Sequence, residues 1–224
     1  MSAGVVVIIP AAGMGSRFGG SIPKQFQLLA GKPIIQRVIE RFLLDDSVSR
    51  VIVPLSESLL GGVSNSERVT FVAGGDTRQQ SVMKGFDCVD DADVVAVHDA
   101  VRPLFTIEMF EAVVLAARQH GAALPVVPVT DTIHAVGDGC IAQTLDRTSL
   151  RAAQTPQCFR TAVLRDVMTR ALREQIEGTD EAGLAARFGY RVQCVAGDPR
   201  NIKITTPEDL IVAESYLHQW GEQP

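Results

Sequence analysis

Cysteine is scarce in this chain of 224 residues, and its four cysteines are far apart. Cys88, Cys140, Cys158 and Cys194 form no Cys-x-x-Cys pair, and no nearby histidines complete a zinc pattern, so neither a zinc site nor a disulfide framework is expected. Long apolar runs are also missing, since none approaches the roughly 20 residues that span a bilayer. The apolar run that ends at Ala12 follows no basic segment and breaks at glycines, which is unlike a signal peptide. We therefore expect reduced thiols, no membrane partner and a cytoplasmic location.

Basic charge is in short supply, because the formal net charge at pH 7 is −5. A nucleic-acid surface usually needs a basic patch, so this balance argues against a nucleic-acid partner. It does not argue against nucleotides, because a few well-placed cations are enough to bind them. Lysine is the rarer cation, with only Lys24, Lys32, Lys84 and Lys203. A lysine within a glycine-bearing loop is therefore a candidate for a specific role.

Strands and helices alternate through the first half of the chain. The β-branched run at residues 5–9 has no polar alternation, which indicates a strand buried on both faces. Further strands are predicted at residues 51–55, 69–73 and 93–97, with helices between them and after Thr106. This order predicts an α/β fold with a doubly wound, mostly parallel, Rossmann-like sheet. The length favours a single domain spanning residues 1–224.

Residues 122–159 interrupt the alternation. They contain three short apolar runs without a long helix, and Gly137-Asp-Gly139 between the last two indicates a hairpin. We predict a β-rich arm at about residues 129–152. Such an arm could project and pair with a second subunit, or it could pack as a meander on the parent sheet. Helices resume after residue 161, and Thr206-Pro207 followed by two acids predicts the start of the last helix.

The loop after the first strand has the sequence Pro10-Ala-Ala-Gly-Met-Gly-Ser-Arg17. It lacks the third glycine of a dinucleotide-binding fingerprint and the Gly-Lys-Ser/Thr of a Walker A loop. Its small residues let backbone N–H groups approach phosphate oxygens, and Arg17 and Lys24 can neutralise phosphate and transition-state charge. These features predict a nucleoside triphosphate site, the alternative being a tight turn with incidental cations. The loop residues assigned to the nucleotide are Pro10, Ala11, Ala12, Gly13 and Gly15.

Two further loops follow buried strands and carry polar groups at the carboxyl edge of the sheet, where open α/β sheets bind ligands. The first is Gly74-Gly75-Asp76-Thr-Arg78 with Ser81, in which Asp76 could instead cap a helix. The second is His98-Asp99-Ala100-Val101-Arg102. Asp99 can hold Mg²⁺ on the triphosphate, because Mg²⁺ takes one or two carboxylates plus phosphate oxygens. His98 is interpreted as a structural hydrogen-bonding residue rather than a catalytic one.

The first loop followed by Pro23-Lys-Gln25 resembles the signature of nucleotidyltransferases that activate sugars and alcohols. More narrowly, it resembles the 2-C-methyl-D-erythritol 4-phosphate cytidylyltransferases of non-mevalonate isoprenoid synthesis. The resemblance continues in order over almost the whole chain. It implies that Arg17 and Lys24 are catalytic and that Mg²⁺ is the cofactor, bound by Asp99. The further nucleotide-binding residues that it implies are Gly75, Asp76, Arg78, Ser81, Asp99 and Ala100.

The resemblance also implies a homodimer in which the β-arm embraces a second subunit. Thr132 and Arg147 of the arm would then reach the partner's acceptor site. Thr179 is implied to contact the acceptor, although it could also cap the helix that follows. The acceptor-binding residues that the resemblance implies are Arg102, Thr132, Arg147, Thr155, Thr179 and Lys203. The substrates would be CTP and a polyol phosphate, 2-C-methyl-D-erythritol 4-phosphate.

Two departures from the family pattern leave the acceptor open. Arg151 stands where many members have tryptophan, and Val101 stands in a position that is alanine in many others. The valine form is common among relatives that use ribitol 5-phosphate, whereas the first loop and Thr179-Asp-Glu-Ala favour the methylerythritol enzymes. A ribitol-5-phosphate cytidylyltransferase or another sugar-phosphate nucleotidyltransferase is the alternative. A module that binds CTP without turning it over is a further one.

Overall fold

The computed structural model describes residues 4–13 and 22–220. Strands β1 to β12 of these ranges are, in chain order, Val5–Ile8, Leu28–Leu29, Lys32–Pro33, Val48–Leu55, Val69–Ala73, Val94–Val97, Ala122–Pro128, His134–Gly137, Cys140–Thr144, Arg151–Ala153, Gln157–Arg160 and Val192–Ala196. Helices α1 to α7 are Ile34–Leu43, Glu57–Leu60, Arg78–Phe86, Ile107–His120, Thr161–Arg173, Glu181–Arg187 and Pro207–Gln219. Short 3₁₀ helices lie at Lys24–Phe26 and Arg147–Ser149. No helix in the described ranges has the length and apolar character needed to cross a membrane.

Eight strands form the central sheet of the described residues, in the order β10-β7-β11-β6-β1-β4-β5, and β12 also pairs with β7. The strands β5, β4, β1 and β6 run parallel to one another. In contrast, β11 is antiparallel to both β6 and β7, and β10 is antiparallel to β7. The predicted doubly wound, mostly parallel α/β sheet is therefore confirmed, and its antiparallel strands come from the segment that interrupts the alternation.

Both faces of the sheet are covered, which explains the unbroken apolar strands. Val5 and Val7 of β1 pack into a cluster with residues of α1 and α4. Val6 and Ile8 pack into a second cluster with residues of α3 and α5. Side chains alternate between the faces of a strand, so a strand between two helical layers has no position for a polar residue. The polar residues are left to the loops at the strand ends.

The last helix belongs to a third apolar cluster. Ala213 and Leu217 of α7 pack with Val101, with Leu29 of β2 and with Ile34 at the start of α1. The backbone N–H of Ile204 donates to the carbonyl oxygen of Val101 at 2.9 Å. This contact holds the segment before α7 against the loop that follows β6, and it places Lys203 beside that loop.

Part of the segment at residues 122–159 lies apart from the central sheet, and part of it belongs to that sheet. Within the described residues β8 and β9 pair only with each other, and every residue of both strands is exposed. Asp138 and Gly139 have φ angles of 52° and 78°, the left-handed conformation that an Asp-Gly hairpin turn requires. The flanking strands β10 and β11 instead join the central sheet. The exposed β8–β9 hairpin is called the arm hairpin below.

Helix starts agree with the predictions in two cases and correct them in two. Thr106 caps α4, and the Asp209 carboxylate accepts from the Thr206 amide at the start of α7. Helix α3 is capped by Thr77 rather than Asp76, since the Thr77 side chain accepts a hydrogen bond from the backbone N–H of Gln80. Helix α6 is likewise capped by Asp180 rather than Thr179. In both corrected cases the side chain that reaches the amide three residues on is one position later than predicted.

Candidate active site

A cavity of about 220 Å³ lies at the carboxyl edge of the parallel strands. It collects residues from the loop after β1, the 3₁₀ helix at Lys24–Phe26, the loops after β5 and β6, and the segment before α7. Its lining residues are Pro10, Ala11, Ala12, Gly13, Lys24, Gln25, Gly75, Asp76, Thr77, Arg78, Ser81, Asp99, Ala100, Val101 and Lys203. All of the predicted nucleotide-binding residues that the structure describes are therefore in one cavity. Gly15 and Arg17 lie outside the described residues.

The first loop needs small residues because a second loop packs directly on it. A Cβ atom at Gly74 would lie 2.5 Å from the Cβ of Ala12, well inside contact distance. The backbone N–H of Gly74 also donates to the Leu55 carbonyl at 2.6 Å, and that of Ala11 donates to the Pro54 carbonyl at 2.8 Å. The loops after β1 and β5 thus form one wall of the cavity, and where they meet there is no room for a side chain at Gly74 beside that of Ala12.

Gln25 ties the 3₁₀ helix to the first loop. Its Nε2 donates to the carbonyl oxygens of Ala11 at 2.7 Å and Gly13 at 3.1 Å, and the residue is 2% exposed. This anchoring brings the neighbouring Lys24 to the cavity wall. The Pro23-Lys-Gln25 element is thus a structural unit in which glutamine anchors the lysine.

Ser81 shapes the loop that precedes its own helix. Its hydroxyl accepts from the Gly75 N–H at 3.0 Å and donates to the Thr77 carbonyl at 3.0 Å. The residue is only 2% exposed. Its first effect is therefore to fix the backbone of residues 75–77, which line the cavity.

A second cavity, of about 160 Å³, adjoins the first. Its lining residues are Arg78, Asp99, Arg102, Ala153, Gln154, Thr155, Gln157, Thr179, Asp180 and Lys203. Four of these, Arg102, Thr155, Thr179 and Lys203, were predicted to bind the acceptor. Three residues, Arg78, Asp99 and Lys203, line both cavities. We refer below to the nucleotide-side cavity and the acceptor-side cavity.

Asp99 is surrounded by three cations. Its Oδ2 lies 3.0 Å from Lys203 Nζ and 3.3 Å from Arg102 Nε, and its Oδ1 lies 3.5 Å from Arg78 Nε. Burial by itself would raise the pKa of the Asp99 carboxyl, but Lys203, Arg78 and Arg102 hold that pKa well below its usual range. The carboxylate is therefore ionised throughout the physiological pH range. Three cations thus contact one carboxylate at the cavities, and cations in such positions suit phosphate groups.

Arg78 contacts a second carboxylate behind the cavities. Its Nη1 lies 2.7 Å from Oε1 and 2.9 Å from Oε2 of Glu181, a residue with 0% exposure. Burial by itself would lower the pKa of Arg78, but Glu181 and Asp99 raise it above the ordinary arginine value. The guanidinium is therefore held between one carboxylate in the cavities and another in the protein interior.

His98 stabilises the loop that carries Asp99. The Asp99 N–H donates to Thr155 Oγ1 at 3.1 Å, and Thr155 Oγ1 lies 3.0 Å from His98 Nδ1. His98 Nε2 lies 2.9 Å from the Arg102 carbonyl oxygen, which can only accept, so Nε2 carries the proton and Nδ1 accepts from threonine. Burial lowers the pKa of His98 to about 3. A neutral, fully hydrogen-bonded histidine supports the prediction of a structural residue.

Two of the residues predicted to bind the acceptor substrate lie outside both cavities. Among the described lining residues of the two cavities, neither Thr132 nor Arg147 appears. Both are exposed near the arm hairpin, and Arg147 Nη1 donates to the Thr130 carbonyl at 2.6 Å. Within one subunit, therefore, the structure does not bring these residues to the other site residues.

Three buried polar residues support the site without having been singled out from the sequence. Gln157 Nε2 donates to Asp180 Oδ2 at 2.7 Å, and its Oε1 accepts from the Ala182 amide at 3.0 Å. Asn201 Nδ2 donates to the Thr155 carbonyl at 2.9 Å. Glu181 is the third. An acid in the first turn of a helix, or an amide in a loop or at the start of a strand, has the same sequence pattern as an exposed residue, so no local signal indicated their burial.

Comparisons with known proteins point to one family. The model of the IspD family, 2-C-methyl-D-erythritol 4-phosphate cytidylyltransferase, matches residues 5–219. The chain is 42% identical over 228 residues to the enzyme of that name from Geobacter metallireducens, covering 96% of this chain and 98% of the relative. It is 40% identical over 219 residues to the enzyme of that name from Bacillus mycoides, covering 95% of this chain and 97% of the relative. The crystal structure of the Thermus thermophilus enzyme superposes with a TM-score of 0.81 at 33% identity, covering 97% of this chain and all of that one.

Proposed function

The chain belongs to the 2-C-methyl-D-erythritol 4-phosphate cytidylyltransferase family, and from this premise we propose that it transfers a cytidylyl group from CTP to that polyol phosphate. The products are 4-diphosphocytidyl-2-C-methyl-D-erythritol and pyrophosphate. The reaction is an intermediate step in isoprenoid precursor synthesis. One observation carries the assignment to this site. Two adjoining cavities share Arg78, Asp99 and Lys203, so two phosphate-bearing substrates can meet over a common set of charges.

The chemistry requires no protein base. An oxygen of the acceptor phosphate attacks the α-phosphorus of CTP, and the bond from that phosphorus to the oxygen bridging to the β-phosphate breaks as pyrophosphate leaves. The attacking phosphate is already largely ionised near neutral pH, because its second pKa is about 6. This fits the site, where the buried His98 is occupied by structural hydrogen bonds. Catalysis then consists of positioning and charge stabilisation.

Each cavity suits one substrate. The first loop and the Gly75-Asp76 segment hold CTP, and Lys24, which lines the same cavity, contacts its α-phosphate. Arg17, which lies outside the described residues, is proposed as the second cation on the α-phosphate. In the acceptor-side cavity Arg102, Thr155, Thr179 and Lys203 hold the polyol phosphate.

Magnesium is the proposed cofactor, and the donor set fits it. The Asp99 carboxylate is ionised and lines both cavities, and Mg²⁺ prefers one or two carboxylates together with phosphate oxygens. In the described part of the chain no three acidic, histidine or cysteine side chains gather into a site of their own, so CTP would supply the other ligands. When bound there, the metal would neutralise triphosphate charge and assist pyrophosphate departure.

We propose a homodimer in which the arm hairpin contacts a second subunit. The arm exposes Val136 and Ile141 at 66% and 63%, and large apolar residues on an isolated hairpin favour pairing with another chain. Thr132 and Arg147, which are remote from their own cavities, would then complete the acceptor-side cavity of the partner. A cytoplasmic location is also proposed, in line with the four free cysteines, and cell fractionation would test it.

The acceptor is tested by a pyrophosphate-release assay over a panel of substrates. The Val101 side chain is 3% exposed and packs with Leu104 and Ile204, so the core accommodates the valine that distinguishes this chain from many relatives. With CTP and Mg²⁺ we expect turnover with 2-C-methyl-D-erythritol 4-phosphate and a kcat/KM at least about tenfold lower with ribitol 5-phosphate. A preference for ribitol 5-phosphate or a sugar phosphate would contradict the proposed acceptor. CTP binding without pyrophosphate release from any acceptor would instead favour a nucleotide-sensing module.

A further inference from the structure

Glu181 is an acidic residue with no contact to solvent, and burial raises the pKa of its carboxyl while the Arg78 guanidinium opposes that shift. Its exposure is 0%, and it is absent from the described lining of both cavities. A carboxylate this deep is unfavourable unless a cation compensates it, and the cation is Arg78, at 2.7 and 2.9 Å from the two carboxylate oxygens. The pair joins the first turn of α3 to the first turn of α6. Helix α3 follows a loop of the nucleotide-side cavity, and α6 follows Thr179 and Asp180 of the acceptor-side cavity.

The pair also sets the direction of the guanidinium. While Glu181 holds Nη1, the Nε of Arg78 lies 3.5 Å from Asp99 Oδ1. Arginine has a long side chain that loses considerable freedom when it is held in one position. A guanidinium that is already oriented before substrates bind stabilises developing phosphate charge without further reorganisation.

We propose that Glu181 is a positioning residue for the reaction, whose buried carboxylate holds the Arg78 guanidinium at the boundary of the two cavities. That boundary is where the α-phosphate of CTP and the attacking acceptor phosphate meet, and two anions brought together repel unless a cation lies between them. The inference rests on the proposed function, because it concerns how that reaction's two anionic groups approach each other.

A purely structural role for Glu181 would be to brace α3 against the segment before α6. The chain has a second brace at the same place, formed by Gln79. Its Nε2 donates to the Ile176 carbonyl at 3.0 Å, and its Oε1 accepts from the Gly178 amide at 2.9 Å. Gln79 is uncharged, adjoins Arg78 and contacts the same segment. The Gln79→Leu variant therefore removes bracing while leaving the guanidinium and its carboxylates in place.

The test compares Glu181→Gln, which keeps the shape and an acceptor oxygen but removes the charge, with Gln79→Leu. We expect kcat of Glu181→Gln to fall by about tenfold or more, because the guanidinium is no longer oriented. Its Kd for CTP, measured by calorimetry, should change by less than about threefold, since Lys24 and the loop backbone still contact the nucleotide. Gln79→Leu should keep kcat within about threefold of the wild type.

A double-mutant cycle keeps the test decisive if Glu181→Gln folds poorly. When Arg78→Gln is already present, adding Glu181→Gln should change kcat by less than about twofold, because Glu181 acts only through Arg78. The double variant contains neither charge, so it leaves no carboxylate buried without a partner. Thermal unfolding of each variant establishes that it is folded at the assay temperature.

Three results would overturn the inference: a wild-type kcat in Glu181→Gln, an equal loss in Gln79→Leu, or a further large loss in the double variant. Wild-type protein in the same assay separates this inference from the proposed function. If the wild type releases no pyrophosphate, both fail. If the wild type turns over and Glu181→Gln does so equally well, only the positioning role fails.

Discussion

Lys203 and Asp99 form an ion pair, with Nζ 3.0 Å from Oδ2, and both residues line both cavities. The residue proposed for the acceptor phosphate is therefore paired with the residue proposed for the metal. Because Asp99 also contacts Arg78 and Arg102, removal of Lys203 leaves the carboxylate compensated. Substitutions at Lys203 thus change substrate binding without leaving a buried charge unpaired.

Lys203→Met should weaken acceptor binding selectively. Methionine has a similar length and apolar stem but has no charge and cannot donate a hydrogen bond to a phosphate. Loss of a hydrogen bond to a charged group should raise KM for the acceptor about 10- to 100-fold. The Kd for CTP should change by less than about threefold. Steady-state kinetics with each substrate varied, together with calorimetry for CTP, measures both. An equal loss of affinity for both substrates would contradict an acceptor-specific role.

Lys24→Ala should reduce kcat by roughly 100- to 1000-fold, because the cation acts on charge that develops in the transition state. Its matched control is Lys32→Ala, since Lys32 is paired with Glu40 on the surface and lies outside both described cavity linings. The control should stay within about twofold of the wild type. Pyrophosphate release measures turnover, and thermal unfolding verifies the fold. Near-wild-type turnover in a folded Lys24→Ala protein would exclude the catalytic role.

Mixed dimers should reveal whether the site is shared between subunits. Lys24→Ala removes a residue of the nucleotide-side cavity, and Arg147→Ala removes a residue near the arm hairpin, so each variant by itself should be inactive. In a heterodimer, one site combines the intact cavities of the Arg147→Ala chain with the intact arm of the Lys24→Ala chain. After equal mixing and subunit exchange, about a quarter of wild-type activity should return. Without any recovery in samples shown to contain heterodimers, Arg147 would act within its own subunit or not at all.

His98 should make the folded state less stable in mild acid. Burial lowers its folded-state pKa from 6.5 to about 3, so below pH 6.5 the unfolded chain binds a proton that the folded chain does not. The stability contributed by the neutral histidine is present above pH 6.5 and is lost as pH falls toward 3. Between pH 6 and 4.5 this group alone should lower the free energy of unfolding by about 1.4 kcal/mol per pH unit.

His98→Gln supplies the measurement for that slope, since glutamine can still donate and accept but does not titrate. Urea unfolding at several pH values should give a flatter dependence for His98→Gln than for the wild type. His120→Gln is the matched control, because His120 is exposed at the end of α4, and it should keep the wild-type slope. Identical slopes in all three proteins would contradict the buried, neutral state of His98.

Local patterns predicted most of the fold. The strand at Val69–Ala73, the caps at Thr106 and Thr206 and the Asp138-Gly139 hairpin all appear where short sequence signals indicated them. These features depend on side-chain alternation and on hydrogen bonds within a few residues. The cap errors at Asp76 and Thr179 are of one position, because neighbouring polar residues compete for the same amide and only the backbone path decides between them.

The loops of the site were also evident, because each follows a buried strand, and parallel strands bring their carboxyl ends to one edge. What the sequence by itself determined was therefore the α/β architecture, with helices on both faces of the sheet, and the loops that meet in the nucleotide-side cavity. What only the tertiary structure decided was the charge arrangement within it. Arg78 and Glu181 are 103 residues apart, and their contact depends on how α3 and α6 pack, which no local pattern encodes. Burial turns an ordinary first-turn glutamate into the partner of Arg78, because only in the folded interior does its charge require a cation.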